Sequence, residues 1–224
     1  MIDLEKYKNL PVQRSDEWKK MRLGLFNASE VSALMGKKMW TQTALTYINN
    51  IATERSIAKD VIEDDDMFWL YLELTSCDSK ATRWGNDHEQ DARDIYSTKH
   101  GVVVTEVSSI KHPDMPFFAC SSDGLVVETN SGIEIKCPLP KTYWLYRTEV
   151  HDGESLKAVK PEYYWQIMSQ ICICDLDYVD FVAYCEFMEK PLHEARIEPN
   201  KEDINLLVER VYMANEMIKE KWNL

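Results

Sequence analysis

The sequence predicts an α/β fold in which helices surround a central mixed sheet of about five strands. Apolar residues recur at helical spacing in residues 41–58 and 203–222, whereas residues 178–184 alternate and are rich in β-forming types. Short runs of β-forming residues also occupy the middle of the chain. With 45% hydrophobic residues, the chain can bury a sizeable core, so residues 1–224 are predicted to form a single domain.

The first sixty residues are predicted to form three helices. Ser15 or Asp16 can cap the first helix, which should end near Gly24. Residues 26–36 are predicted to form a second, short helix that ends at a glycine. The helical spacing in residues 41–58 predicts the third and longest of the three.

Two segments follow before the first strand. Residues 61–80 include a run of adjacent acids, which usually point into solvent, so a surface loop or a helix edge is expected there. Asn86 or Asp87 can cap the next helix, and Gly101 should end it. The other predicted elements are strands over residues 102–105, 117–121 and 178–184 and helices over residues 161–170 and 203–222.

A hairpin is expected between Asp123 and Lys136, with Asp123 at an Asp-Gly turn. Because side chains alternate along a strand, Glu134 and Lys136 should share one face while Ile135 points to the other. Two crowded carboxylates repel each other unless a cation neutralises them, and oxygen ligands suit Mg²⁺. A lysine beside them could orient or deprotonate a water. Alternatively, Asp-Gly is simply a common turn and Glu-x-Lys a solvated strand face.

Composition excludes several classes of protein. No segment approaches the ~18 consecutive apolar residues of a membrane helix, and the first residues lack the apolar core of a signal peptide. A cytoplasmic protein with no membrane association is therefore expected. The six cysteines never occur as Cys-x-x-Cys, which argues against a zinc or iron–sulfur site.

The net charge of −12 argues against binding to DNA, but the charge is unevenly distributed. Residues 14–38 contain six basic and three acidic side chains, and residues 136–147 contain three basic side chains and no acid. A local basic channel would bind DNA in a salt-sensitive way. The candidates for contacts with the DNA backbone are Lys37, Lys38, Lys141 and Arg147.

Several short motifs occur in a characteristic order: Glu17-Trp18, Arg22, Ala28-Ser29, Gly85, Glu89, His112-Pro113, residues 121–124, residues 133–138 and Tyr164-Trp165-Gln166. In this combination the chain resembles the phage-recombinase branch of the PD-(D/E)XK nucleases, the lambda-exonuclease or YqaJ family. The resemblance implies a restriction-endonuclease-like core. Two positions depart from the family pattern, because Ser122 replaces a proline and Met168 replaces a second glutamine.

The resemblance also implies a metal site. Asp123, Glu134 and the backbone carbonyl of Ile135 would bind Mg²⁺, with two ions expected and Mn²⁺ as a possible substitute. Glu89 would add a carboxylate from the preceding helix, and Lys136 would handle the attacking water. An inward Glu89 needs a partner in any case, because a lone buried carboxylate is costly. The implied catalytic residues are Asp123, Glu134, Lys136 and Gln166.

A pocket for a 5′-phosphate is implied at Arg22, Ser29, Ser121 and Gln166. A guanidinium group can donate two parallel hydrogen bonds to a phosphate, and hydroxyl and amide groups can donate to the remaining phosphate oxygens. Arg22 could instead form a surface ion pair, and the two serines could have capping or hairpin roles. Gln170, on the same helix face, competes with Gln166, which fits the family position. For Trp18, a place in the core is favoured over stacking near a strand end.

The function expected from the resemblance is a metal-dependent 5′→3′ exonuclease that degrades one strand of double-stranded DNA from its ends to mononucleotides. It would leave 3′ single-stranded tails for phage-type recombination in a bacterial host. A homotrimeric ring and a single-strand annealing protein are the implied partners. The alternatives are a structure-specific endonuclease of the same superfamily and a non-catalytic module that binds DNA ends.

Overall fold

The computed structural model describes residues 2–75 and 80–224, with side chains in the second range from residue 83 onward. Its α-helices are α1 Asp16–Arg22, α2 Gln42–Arg55, α3 Lys59–Glu63, α4 Asp65–Thr75, α5 Lys80–His100, α6 Pro140–Glu149, α7 Gly153–Val159, α8 Pro161–Cys174 and α9 Lys201–Trp222. Its strands are β1 Phe26–Asn27, β2 Thr105–Lys111, β3 Phe118–Val126, β4 Ser131–Lys136, β5 Tyr178–Tyr184 and β6 Leu192–Ile197. Short 3₁₀ helices cover Leu4–Lys6, Val31–Leu34 and Val127–Thr129.

The strands form one mixed sheet in the order β1-β3-β4-β5-β6, and β2 also pairs with β3. The β1–β3 and β4–β5 pairs are parallel, and the other neighbours are antiparallel. This architecture confirms the predicted α/β fold with a central mixed sheet of about five strands. The sheet has six strands in all, of which β1 has only two residues.

The alternation of side chains along the central strands separates two apolar layers. Phe181 and Ala183 of β5 belong to the larger core, which includes residues of α2, α8 and α9. Val182 of β5 instead packs with Ile133 of β4 and with Ala92 of α5 on the opposite face. This period of two follows from strand geometry, and it leaves the α8 face for Glu134 and Lys136.

Local signals predicted several elements correctly. Ser15 caps α1 by accepting a hydrogen bond from the Trp18 backbone, and Thr41 caps α2 in the same way. Strand β5 has the bounds predicted from its alternating pattern, and α9 begins two residues before its predicted start. Gly101, with φ of +63°, follows the last residue of α5. Within the described ranges, no helix combines the length and apolar character needed to span a membrane.

Two local predictions were wrong. Residues 26–36 begin with β1, because Phe26 is completely buried and its backbone N–H donates to the Phe117 carbonyl at 2.8 Å. Tertiary packing thus overrides a weak helical preference. Asn86 and Asp87 do not cap α5, which already includes Lys80. For residues 61–80, where a surface loop or a helix edge is predicted, the structure has the end of α3 and all of α4, with the acid run where the two helices meet. Residues 76–79 of that prediction lie outside the described residues.

The Asp-Gly turn was also wrong. Asp123 and Gly124 lie inside β3, and the chain reverses at Val127–Thr129 and Asn130, whose φ is +47°. The preceding strand begins at Thr105, later than predicted. The β3–β4 hairpin itself is present, and moving its turn by several residues keeps Asp123 and Glu134 side by side.

Replacing Gly124 with alanine should destabilise the protein by about 1–3 kcal/mol, because small-to-large changes in a packed interior force strain. An added Cβ would collide with Val104 and would lie 2.9 Å from a side-chain carbon of Ile133. Urea unfolding measures the change. Gly85→Ala is the matched control, because a Cβ there meets no atom within 4 Å and alanine favours a helix. Equal stability of the two variants would contradict this account of β3 packing.

Candidate active site

The β3–β4 hairpin carries the centre of the candidate site. Gly124 pairs with Ile133, so Asp123 and Glu134 are the next residues along the two strands. Asp123 Oδ2 accepts a hydrogen bond from the backbone N–H of Ile135 at 2.7 Å. The structure therefore brings together three of the four predicted catalytic residues, Asp123, Glu134 and Lys136.

Glu134 is a carboxylate without solvent exposure. One oxygen accepts a hydrogen bond from the Lys136 ammonium group, and the other accepts one from Gln170 Nε2 at 2.5 Å. Burial and the repulsion of Asp123 raise the pKa of Glu134 to about 7, although Lys136 and Gln170 oppose that shift. An added cation beside Asp123 and Glu134 would relieve the repulsion between them.

Lys136 ends β4 at the border between the interior and solvent, where 23% of its side chain is exposed. Burial alone would lower its pKa, but the attraction of Glu134 and Asp123 raises the pKa above the usual lysine range. Its Nζ atom lies 4.8 Å from the centroid of the Tyr163 ring. The ammonium group thus remains charged beside the two carboxylates.

Glu89 projects from α5 and has two cationic partners. Arg14 forms an ion pair with one oxygen, and Arg93 donates to the other at 3.0 Å. Arg93 also donates to the backbone carbonyl of Asp123 at 2.9 Å, which ties α5 to the hairpin. Burial and the nearby Asp123 carboxylate raise the pKa of Glu89, and the two arginines oppose this shift. The partners that a buried Glu89 requires are therefore arginines.

The donor groups of the hairpin suit a hard divalent cation. Asp123, Glu134 and the carbonyl of Ile135 offer oxygen ligands, which magnesium prefers. Glu89 is engaged by its arginines instead. In the part of the chain that the structure describes, no three His, Cys, Asp or Glu side chains converge as ligands for one ion. The candidate Mg²⁺ site therefore consists of the oxygen atoms of the hairpin. Glu89 could become a further ligand only if it gave up its contact with one of the two arginines.

A second cluster lies at the start of β3. Arg22 donates to the hydroxyl of Ser121 at 3.2 Å and to the hydroxyl of Ser29 at 3.3 Å. The Trp18 indole also donates to Ser121, at 3.1 Å, and its ring lies 4.4 Å from the Arg22 guanidinium carbon. Three of the four residues predicted to bind phosphate are thus in contact. Trp18 lies among them, half-buried, rather than in the core.

The two glutamines of α8 occupy different positions. Gln170 is completely buried, and its side chain donates a hydrogen bond to Glu134. Gln166 is half-buried, and its side chain forms no hydrogen bond with any other described residue. Gln166 lies on the helix face between Tyr163, which contacts Lys136, and Gln170. This face is directed to the hairpin, so Gln166 lies beside the site with its amide available.

Three residues of the site were not identified from the sequence as functional. Arg93 lies four residues after Glu89, a helical spacing that could have revealed the pair. Gln170 was considered and set aside in favour of Gln166, although a glutamine in an apolar helix segment signals a buried polar partner. Arg14 lies 75 residues from Glu89 in the chain, and no local pattern reveals such a contact.

A mixed sheet whose central hairpin carries Asp123 and the Glu134-x-Lys136 pair defines an α/β protein of the PD-(D/E)XK nuclease class. A family model described as the YqaJ-like viral recombinase domain matches residues 17–177. The chain belongs to this family. Among curated proteins, no sequence matches the chain.

Solved exonuclease structures resemble the protein over most of its length. The alkaline exonuclease LHK-Exo from Laribacter hongkongensis is 28% identical, with a TM-score of 0.72 over 92% of this chain and 94% of that chain. Its complex with dAMP matches over the same shares at 27% identity and a TM-score of 0.73. A phage-related exonuclease from Haemophilus somnus 129PT shares the fold, at 16% identity and a TM-score of 0.65 over 88% and 94% of the two chains.

Replacing Gln170 with leucine should lower the free energy of unfolding by about 1–3 kcal/mol, because the buried Glu134 would lose a hydrogen bond. Gln166→Leu removes the same chemical group from the same helix face but breaks no protein hydrogen bond. Its effect on stability should stay within about 0.5 kcal/mol. Urea denaturation of both variants tests the assignment, and a larger loss for Gln166→Leu would reverse it.

Proposed function

We propose that the protein is a metal-dependent 5′→3′ exonuclease that degrades one strand of double-stranded DNA from its ends to mononucleotides. The observation that carries this proposal is that strand β3 contributes one residue to each of the two clusters. Ser121 of the Arg22 cluster and Asp123 of the acidic cluster are two residues apart on β3, so the two clusters are neighbours along this strand. A terminal phosphate held at Arg22 would lie near the carboxylates.

The Arg22 cluster has the chemistry of an anion site. The direct hydrogen-bond partners of Arg22 are hydroxyl groups, and among the described residues no carboxylate forms an ion pair with it. Burial lowers the pKa of Arg22, so its positive charge gains from an anionic partner. A phosphate could accept hydrogen bonds from the guanidinium group and from the hydroxyls of Ser29 and Ser121. Gln166, with its amide available on α8, could add a further donor.

The hairpin would then carry out hydrolysis. Mg²⁺ bound by Asp123, Glu134 and the Ile135 carbonyl, with Mn²⁺ as a possible substitute, would supply positive charge at the phosphate and a more acidic water. Lys136, partly exposed beside Glu134, can donate a hydrogen bond that orients the attacking water. Gln170 would hold the Glu134 carboxylate in place. Glu89 could add a fourth ligand if Arg14 turned to the DNA.

The similarity to solved exonucleases supports the proposal of an exonuclease. LHK-Exo, with 28% identity over most of both chains, is an alkaline exonuclease, and it has been solved with dAMP, a deoxynucleoside monophosphate. A bound mononucleotide is the product expected of stepwise hydrolysis. We extend the proposal to a single exonuclease domain over residues 1–224 that forms a homotrimeric ring around DNA. It would work with a single-strand annealing protein in the cytoplasm of a bacterial host.

Glu134→Gln and Lys136→Ala should each reduce digestion of linear duplex DNA in the presence of Mg²⁺ by about 100-fold or more, because a charged metal ligand or the group that orients the water is lost. Duplexes labelled at either end report the polarity and the size of the product. Glu128→Gln, at an exposed glutamate of the hairpin turn, is the matched control and should digest DNA normally.

The same assay separates the proposal from its rivals. Cutting of closed circular DNA would favour an endonuclease, and binding of DNA ends without release of nucleotides would favour a non-catalytic module. Full activity of Glu134→Gln would remove the hairpin from the mechanism.

Arg22→Ala should reduce the preference for a 5′-phosphorylated end over a 5′-hydroxyl end by roughly 10-fold to 100-fold, the range expected for a hydrogen bond between charged groups. The measurement is the ratio of initial rates on the two substrates. Lys19→Ala removes a positive charge from the same helix, but Lys19 already pairs with Asp16, so its ratio should not change. An unchanged ratio for Arg22→Ala would show that the phosphate binds elsewhere.

A further inference from the structure

Two tryptophans of the described residues stand out by their exposure. Trp69 of α4 is 58% exposed and Trp144 of α6 is 56% exposed. Neither ring stacks on another aromatic ring or lies beneath a cation of a described residue, in contrast to Trp18, Trp84 and Trp165. An indole with a free face is available for contact with a ligand.

Helix α6 presents Trp144 on an outer face distinct from its packed face. Tyr143 and Tyr146 are fully buried, and Tyr146 packs edge-on against Phe181. On the other side, Lys141 and Trp144 share an exposed face with Leu145 because they are spaced by three and four residues. The buried tyrosines fix the helix, so the orientation of this outer face is fixed as well.

Helix α6 itself lies close to the catalytic hairpin. Only three residues separate Lys136 from the first residue of α6, so Trp144 lies at most about 20 Å from Lys136 along the chain. The rings of Tyr163 and Tyr146 are 6.2 Å apart, and Tyr163 contacts Lys136. These contacts hold α6 against the hairpin.

The charge around the two exposed tryptophans differs. No acidic residue occurs from Lys136 to Thr148, a segment that also contains Lys141 and Arg147. Glu149 is the first acid, at the end of α6. Trp69, in contrast, follows a run of four acids at residues 63–66. A phosphate backbone would therefore be attracted to the surface around Trp144 and repelled from the one around Trp69.

We propose that Trp144 and Lys141 form a binding site for unpaired nucleotides of a DNA strand, with a base stacked on the indole and a phosphate beside the ammonium group. Stacking on an aromatic ring next to a positive charge is how proteins bind single strands without reading their sequence. This site deepens the proposed function, on which it rests, because strand removal from a duplex end produces unpaired nucleotides near the hairpin.

The experiment measures binding of a fluorescently labelled oligothymidylate to the full chain without divalent ions, so that no hydrolysis occurs. Trp144→Ala should weaken binding between about 5-fold and 100-fold, whereas Trp144→Phe should retain most of the affinity because a ring remains. Trp69→Ala, the matched exposed tryptophan, should bind like the unaltered protein. Lys141→Ala should make the dependence of log affinity on log salt shallower by about 0.7.

Equal affinities of Trp144→Ala and Trp69→Ala would overturn the proposal. So would a change in solution mass of the Trp144 variants by light scattering, since that result would assign the indole to contacts between copies of this chain. Far-ultraviolet circular dichroism checks the fold of each variant. Lys141→Ala keeps the test decisive if Trp144→Ala does not fold, because an unchanged salt dependence would also overturn the proposal. If the unaltered protein bound oligothymidylate but did not digest duplex DNA in Mg²⁺, the proposed function would be refuted and this binding site would remain.

Discussion

The fold of the protein depends on Glu134, a carboxylate that has no contact with solvent and must be compensated by hydrogen-bond donors of the protein. Glu134 lies in the middle of the sheet, and its two oxygens take their hydrogen bonds from different elements, Lys136 of the same strand and Gln170 of α8. Losing one hydrogen-bond partner of a buried polar group typically costs about 1–3 kcal/mol. Helix α8 can therefore pack only where Gln170 reaches Glu134, so the core and the candidate site are set by the same contact.

A second network extends this constraint to the N-terminal segment. Arg93 joins Glu89 to the backbone of Asp123, and Arg14 adds its own ion pair with Glu89. Arg14 adopts a positive φ of 68°, which is uncommon for a residue with a side chain. Contacts with Glu89 and with the hairpin thus hold three distant parts of the chain together. The acids that repel one another are the reason that these arginines are present.

Sequence periodicity predicted the parts of the fold that local physics determines. Strand β5 and the long helices follow from side-chain alternation and capping, and the three charged residues of the hairpin follow from their spacing. The prediction failed where distant contacts decide, as at Phe26, which pairs with β3 and is buried in the core although its segment has a helical pattern. It also failed at Asp123, since an Asp-Gly pair permits a turn without requiring one. Arg14 could not be found, because nothing local connects it with Glu89.

The net charge of −12 poses the question of how such a chain could hold DNA, and helix α1 suggests the answer. Lys19 pairs with Asp16 and Lys20 pairs with Asp65, so these two cations are neutralised within the protein. Arg22, on the same helix, donates hydrogen bonds to two hydroxyl groups and forms no ion pair with a carboxylate in the part of the chain that the structure describes. Surface charges farther away than about 8–10 Å are largely screened at physiological salt. A phosphate therefore interacts mainly with its local surroundings, and on α1 Arg22 is the basic residue that forms no ion pair with a described carboxylate.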